Sequence, residues 1–129
     1  MIDLEGGPCV YKRITGCGAG GQYLCVTADG DLYPCHQFTG IEAFKMGSLA
    51  EGVKNVEIRN ELIKNDIYKK KKCRSCFAKF YCGGGCAANG YIVNGSVSEP
   101  DEVGCEMQRK RTECAIYIKT ALAKGDETP

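Results

Sequence analysis

The pattern of apolar and polar positions divides the chain into short segments before one long helical stretch. Residues 22–35 read as a β-hairpin: Tyr23-Leu24-Cys25-Val26-Thr27, a turn at Asp29-Gly30, then Leu32-Tyr33. Asp-Gly between β-formers is a strong hairpin signal, because both central residues of a two-residue turn take positive φ. Such a turn sets Cys25 opposite Pro34 and Leu24 opposite Cys35. Cys25 then faces away from Cys35 and reads as a packed thiol. Residues 36–47 look irregular, and Ser48 with Glu51 has capping-box spacing that opens a short helical turn. From Asn55 to about Lys70, Val56, Ile63 and Ile67 recur at helical spacing beside Leu62 and predict a mid-chain helix. Tyr91-Ile92-Val93 reads as extended, followed by an Asn94-Gly95 turn. The longest periodic stretch runs from about Glu99 to Lys124, with Ser98 at its start and Gly125 at its end. Met107, Cys114, Tyr117, Ile118, Ala121 and Leu122 share one face of it, so Cys114 is expected in the core. Residues 1–16 form a lead-in, broken at Gly6-Gly7-Pro8, with no periodicity after it.

These elements describe a small α+β fold: an N-terminal β-hairpin, a cysteine-rich loop core, a mid-chain helix and a long C-terminal helix. Composition adds that the fold needs staples. The chain has 129 residues, ten of them cysteine and seventeen glycine, with no tryptophan, so its apolar core is modest. Charge is nearly balanced at +1, which gives no ground for a nucleic-acid or membrane surface. The run Lys69-Lys70-Lys71-Lys72 with Arg74 reads as a solvated helix end. No signal peptide or membrane span is visible, so the expected setting is cytoplasmic and anaerobic. A reducing compartment does not keep five disulfides, and the cysteines therefore read as metal ligands.

Their spacing sharpens this. Cys73-x2-Cys76-x5-Cys82-x3-Cys86 places four thiols within fourteen residues. Two intervening residues let both sulfurs of a pair turn toward one metal centre. Such a set closes a tetrahedral zinc site as readily as it holds an iron–sulfur cluster. Gly83-Gly84-Gly85 favours the cluster, since glycine lets backbone N–H groups approach cluster sulfides. The single histidine, His36, stands beside Cys35 and reads as a local hydrogen-bonding residue. Phe77, Phe80 and Tyr81 are expected to pack over the site closed by Cys73 and Cys76 and to exclude water.

The whole order is Cys17-x12-Gly30-x4-Cys35, a gap of 37, Cys73-x2-Cys76-x5-Cys82-x3-Cys86, a gap of 18, then Cys105. It resembles the SPASM domain, the C-terminal auxiliary-cluster domain of radical SAM peptide-modifying enzymes. A narrower resemblance is to the maturases of six-cysteine SCIFF peptides, which install thioether crosslinks. It rests on Gly6-Gly7-Pro8-Cys9, Gly16-Cys17-Gly18, Asp29-Gly30-Asp31-Leu32-Tyr33-Pro34-Cys35-His36-Gln37-Phe38 and Cys82-Gly83-Gly84-Gly85-Cys86. The resemblance implies two auxiliary [4Fe–4S] clusters whose ligands cross the chain. Cys73, Cys76, Cys82 and Cys105 would hold the outer cluster (auxiliary II), and Cys17, Cys35 and Cys86 the inner one (auxiliary I). Seven ligands leave one iron without a protein thiolate. Either it stays open for a substrate thiolate, or Cys9 fills it as an upstream cysteine does in sulfatase-maturing relatives.

On this reading residues 1–16 lead in from a missing radical SAM barrel and residues 17–125 form the SPASM domain. The chain lacks the C-x3-C-x2-C motif, since Ala87, Ala88 and Asn89 follow Cys86. It is also shorter than the roughly 200 residues a barrel needs. S-adenosylmethionine would thus bind only in the absent barrel, and this fragment would not be catalytic alone. The implied partners are that barrel, a cysteine-rich precursor peptide and an electron donor or acceptor protein. The implied role is electron acceptance or relay, with possible substrate-thiolate binding. Two alternatives stay open: the SPASM domain of another radical SAM enzyme of the sulfatase-maturing type, and a zinc-stapled interaction module.

Overall fold

The computed structural model describes residues 2–6 and 9–125, so Gly7 and Pro8 of the expected breaker lie outside the described residues. The fold is α+β, as the pattern implies, with more strand and more short helix than the pattern suggests. A four-stranded antiparallel meander, β1 (Cys25–Val26), β2 (Asp31–Tyr33), β3 (Gly47–Ser48) and β4 (Gly52–Val53), pairs in chain order. Helices α1 (Val10–Thr15), α2 (Val56–Ile63), α3 (Lys71–Arg74), α4 (Lys79–Cys82), α5 (Ala87–Asn94) and α6 (Glu102–Gly125) surround it.

The hairpin forms in a different register. Cys25 pairs with Tyr33 and Val26 with Leu32, one residue away from the two-residue-turn expectation. Thr27 N–H donates to the Asp31 carbonyl (3.0 Å) and the Thr27 hydroxyl accepts from Asp31 N–H (3.0 Å). The loop is therefore the three residues Ala28, Asp29 and Gly30, and only Gly30 takes a positive φ, at 84°. This is the turn that ends in a left-handed glycine, and the extra residue shifts every partner by one. Cys25 now shares the parity of Cys35. It still packs against the core, by its Thr39 contact (3.6 Å) and not by facing away.

Four other local expectations need correction. Ser48 does bond Glu51 N–H (3.3 Å), but the pair closes the β3–β4 hairpin turn and opens no helix. The mid-chain helix stops at Ile63, and Ile67 is buried instead by a loop whose N–H reaches the Ile14 carbonyl (3.1 Å). Asn55 does cap it, accepting from Ile58 N–H at 3.3 Å. Tyr91-Ile92-Val93 is helical within α5, and Asn94-Gly95 is that helix's C-terminal stop. The lead-in contains α1, six residues capped by Cys9 and Gly16.

The core joins sheet to helices. Phe38 and Phe44, on two 3-10 turns at His36–Phe38 and Glu42–Phe44, stack at 4.1 Å between ring centroids. Tyr91 of α5 meets Phe44 edge-on at 4.6 Å, and Tyr33, Cys35, Leu62, Ala88 and Val97 complete the cluster.

The long helix turns a different face inward from the one expected. Thr112 and Ala115 are buried, with Cys105, Gln108 and Arg109 partly so. Cys114 is exposed, as are Met107, Tyr117, Ile118, Ala121 and Leu122, with Tyr117 at 73%. The apolar stripe is real and stays exposed, although Ile2 and Leu4 of the N-terminal segment share shallow cavities with Met107, Ile118 and Leu122. The helix begins at Asp101, whose carboxylate accepts from Val103 and Gly104 N–H (3.2 Å each). Ser98 instead bonds the buried Asn65 (3.2 Å). Gly125 is part of the helix. No helix among the described residues is long and apolar enough to cross a membrane.

Candidate metal centre

Cysteine placement follows from where short helices begin and end. Cys17 comes just after the Gly16 cap of α1. Cys35 lies two residues past β2 and caps the first 3-10 turn, and Cys86 caps α5. Cys73 lies in α3, Cys76 two residues past that helix, Cys82 at the end of α4 and Cys105 in the first turns of α6. All ten cysteines are free thiols.

The fold sorts the seven signature positions into two neighbouring cavities. One, of about 30 Å³, is lined by Cys73, Cys76, Cys82 and Cys105 with Lys72, Ala78, Gly84 and Arg109. The other, of about 480 Å³, is lined by Cys17, Cys35 and Cys86 with Cys82, Tyr23, His36, Gln37, Phe80 and Tyr81. The donor sets are soft and sulfur-rich, which suits iron–sulfur clusters or zinc and not hard cations. Among the described residues, no group of three or more Cys, His, Asp or Glu side chains closes around a single ion. The thiols line the two cavities without closing on a single point.

Between the cavities runs the strap Gly83-Gly84-Gly85, with φ of 68°, 88° and 72°. A Cβ at Gly83 would stand 2.9 Å from the Lys12 carbonyl oxygen of α1, so the strap passes α1 at backbone distance. At the two ends of the strap, Cys82 lines both cavities while Cys86 lines only the larger, although three residues separate them.

The thiols differ electrostatically. Burial pushes the Cys35 thiol up from its ordinary value, against the opposing backbone N–H groups of Gln37 and Phe38, and Cys86 and Cys17 add to the rise. Cys73 is raised by burial, with Lys70 pulling it back. Cys105 is raised by burial and by Glu102, with Arg109 opposing. Holding metal as thiolates would reverse these shifts, since a coordinating thiol is deprotonated.

Several residues here carry no sequence signal. Tyr23 donates its hydroxyl to Cys17 Sγ (3.8 Å), and its pKa is pushed up to about 12 by burial and then by Cys17, Cys35 and Cys86. Cys86 Sγ–H donates to Gln37 Oε1 (3.6 Å). Lys70, expected in solvent, is 3% exposed and donates to the Gly84 carbonyl at 2.8 Å. Its neighbours Lys69, Lys71 and Lys72 do face solvent. Phe80 and Tyr81 line the larger cavity and not the smaller, while Phe77 is 54% exposed and lines neither; Ala78 closes the smaller one. His36 lines the larger cavity. Cys9 caps the far end of α1, about 9 Å from Gly16 along the axis, and lines neither space.

Residues 17–77 match the model of the SPASM domain, an iron–sulfur cluster-binding domain. The match supports iron–sulfur cluster binding by this segment. It contains Cys17, Cys35, Cys73 and Cys76, while Cys82, Cys86 and Cys105 lie beyond it. The chain is also 31% identical over 115 residues to an uncharacterized protein of Archaeoglobus fulgidus. That alignment takes in 88% of this chain and 25% of the relative, so the chain spans about a quarter of the relative's length.

Proposed function

We propose that this SPASM segment, with the residues that follow it, binds two [4Fe–4S] clusters as the auxiliary-cluster domain of a radical SAM enzyme. In this reading Cys73, Cys76, Cys82 and Cys105 hold the outer cluster, and Cys17, Cys35 and Cys86 the inner one. The observation that carries it is the sorting of seven sequence-scattered cysteines into two adjacent cavities, four around one and three more around the other.

When bound, the clusters would supply one-electron acceptance and relay, and an iron lacking a protein thiolate would bind a substrate thiolate. The chain's own residues set the conditions for that. The smaller cavity is walled by Ala78 and the aliphatic stems of Lys72 and Lys79, which limits water at the four-thiol site. The larger cavity carries three thiols, with Lys12, Arg13 and His36 along its lining. Cys9, outside that lining, leaves the fourth position to a substrate cysteine. We place the parent enzyme among thioether-forming maturases of cysteine-rich ribosomal peptides, on the motif resemblance of the glycine-flanked cysteines.

Anaerobic reconstitution with iron and sulfide tests this. The expected product is brown and holds roughly eight irons per chain if both clusters are cubane. Substituting Cys76 by Ala removes the outer cluster and leaves about four irons. Colourless protein that retains zinc alone would overturn the proposal.

A further inference from the structure

Lys70 is the one lysine buried among the described residues, and it stands at the start of α3 three residues before Cys73. Its ammonium reaches across to the Gly84 carbonyl, the midpoint of the strap between the cavities. Gly84 lines the smaller cavity, and Gly83 and Gly85 line the larger, so the contact lies at the partition. No carboxylate forms an ion pair with Lys70 among the described residues. Its electrostatic partners are instead thiols of both sets: Cys73 and Cys82 on one side, Cys86 and Cys17 on the other.

A buried ammonium is unfavourable unless anionic groups nearby compensate. Thiolate-ligated iron–sulfur clusters are anionic, and two of them flanking the strap would supply that compensation from both directions. Ile67, also fully buried, packs beside the same strap, so the lysine stem sits in apolar surroundings where the charge is little screened.

We propose that Lys70 is a counter-cation shared by both cluster sites, a positioning residue whose charge holds the two clusters' reduction potentials up together. The proposal rests on the reading that both cavities hold iron–sulfur clusters. Reduction adds an electron to an already anionic group, and a fixed positive charge between the sites favours that electron at either. The hydrogen bond to Gly84 fixes the charge at the partition, where it interacts with thiols of both sets, Cys73 and Cys82 most strongly.

The test uses the reconstituted full chain and redox titration followed by electron paramagnetic resonance. Lys70→Met and Lys70→Gln are expected to lower the midpoints of both clusters, while Lys70→Arg keeps both near wild type. The Gln variant retains a hydrogen-bond donor to Gly84, so it separates charge from strap geometry. If only one midpoint moves, or neither does, the shared role is overturned. If the neutral variants take up no cluster while the arginine variant loads fully, the charge is needed for assembly and the proposal stands. If the arginine variant fails as well, the site needs lysine's shape and the proposal falls. Wild-type protein that takes up no iron–sulfur cluster would sink the cluster reading itself, a distinct result.

Discussion

Tyr23 touches only one of the two cysteine sets, and that makes it informative about the larger cavity. Its hydroxyl donates to Cys17 Sγ, and nothing ties it to Cys73, Cys76 or Cys105. Hydrogen bonds to cluster sulfurs raise reduction potential. Tyr23→Phe is therefore expected to lower the midpoint of the inner cluster alone in a redox titration, and an equal shift in both would contradict the two-site sorting. Phe38 sits at the other extreme, with 0% exposure and no polar duty. Phe38→Ala should cost about 3–5 kcal/mol, read as a lower guanidinium midpoint under anaerobic conditions. Cysteines of the site are readable from sequence because ligand spacing is a local property of the chain. Tyr23 and Lys70 are not, because their roles arise from a hairpin and a strap that bring residues together across six and fourteen positions. A lysine inside a run of four basic residues carries no mark that one of them turns inward.

At the scale of elements, helix existence is read more safely than the face a helix presents. The periodicity of α6 forecasts its length within a few residues, yet the buried seam is Cys105, Gln108, Thr112 and Ala115, not the Met107–Leu122 stripe. Hydrophobic pattern identifies the face when burial is driven by apolar contact. Here the inward seam carries Cys105 beside the smaller cavity, and ion pairs tie the helix near its start, neither of which hydrophobicity encodes. Glu102 accepts from Lys72 of α3 (2.9 Å) and from Arg109 about two turns further along α6 (3.0 Å). These cations hold its carboxyl below the ordinary 4.5, the Lys72 hydrogen bond acting most strongly. A depressed carboxyl contributes stability above the unfolded value and loses it only as pH falls through the lower folded one. The bridge is therefore fully ionised across the neutral range. Glu102→Gln should release iron from the outer site to a chelator faster than wild type at low salt. That difference should shrink with added salt, because the pair is exposed and screened, and should stay constant across neutral pH. A rate gap indifferent to salt would mean that Glu102 acts by some route other than this pair.

For the whole molecule, the question is what holds α1, α3, α4 and α6 to the sheet. The aromatic core joins β2, α2 and α5 through Phe38, Phe44, Leu62 and Tyr91, and it stops there. Of the remaining helices α6 is long, but α1 has six residues and α3 and α4 four each, well below the length at which a helix is stable alone. Where they meet, the cysteines line the two cavities. The smaller cavity gathers α3, α4 and α6, and the larger one gathers the end of α1, the end of β2 and the start of α5. Metal bridges across such distant segments restrict the unfolded chain, and in small domains metal binding and folding are one equilibrium. Anaerobic chelation of the reconstituted protein is therefore expected to remove most of its far-UV circular dichroism. Hydrogen exchange should show protection vanishing first in α3, α4 and α6, with the Phe38–Phe44 region the last to open. A dichroism spectrum unchanged after the iron has left would mean that apolar packing suffices, and the cysteines would then serve chemistry without serving the fold.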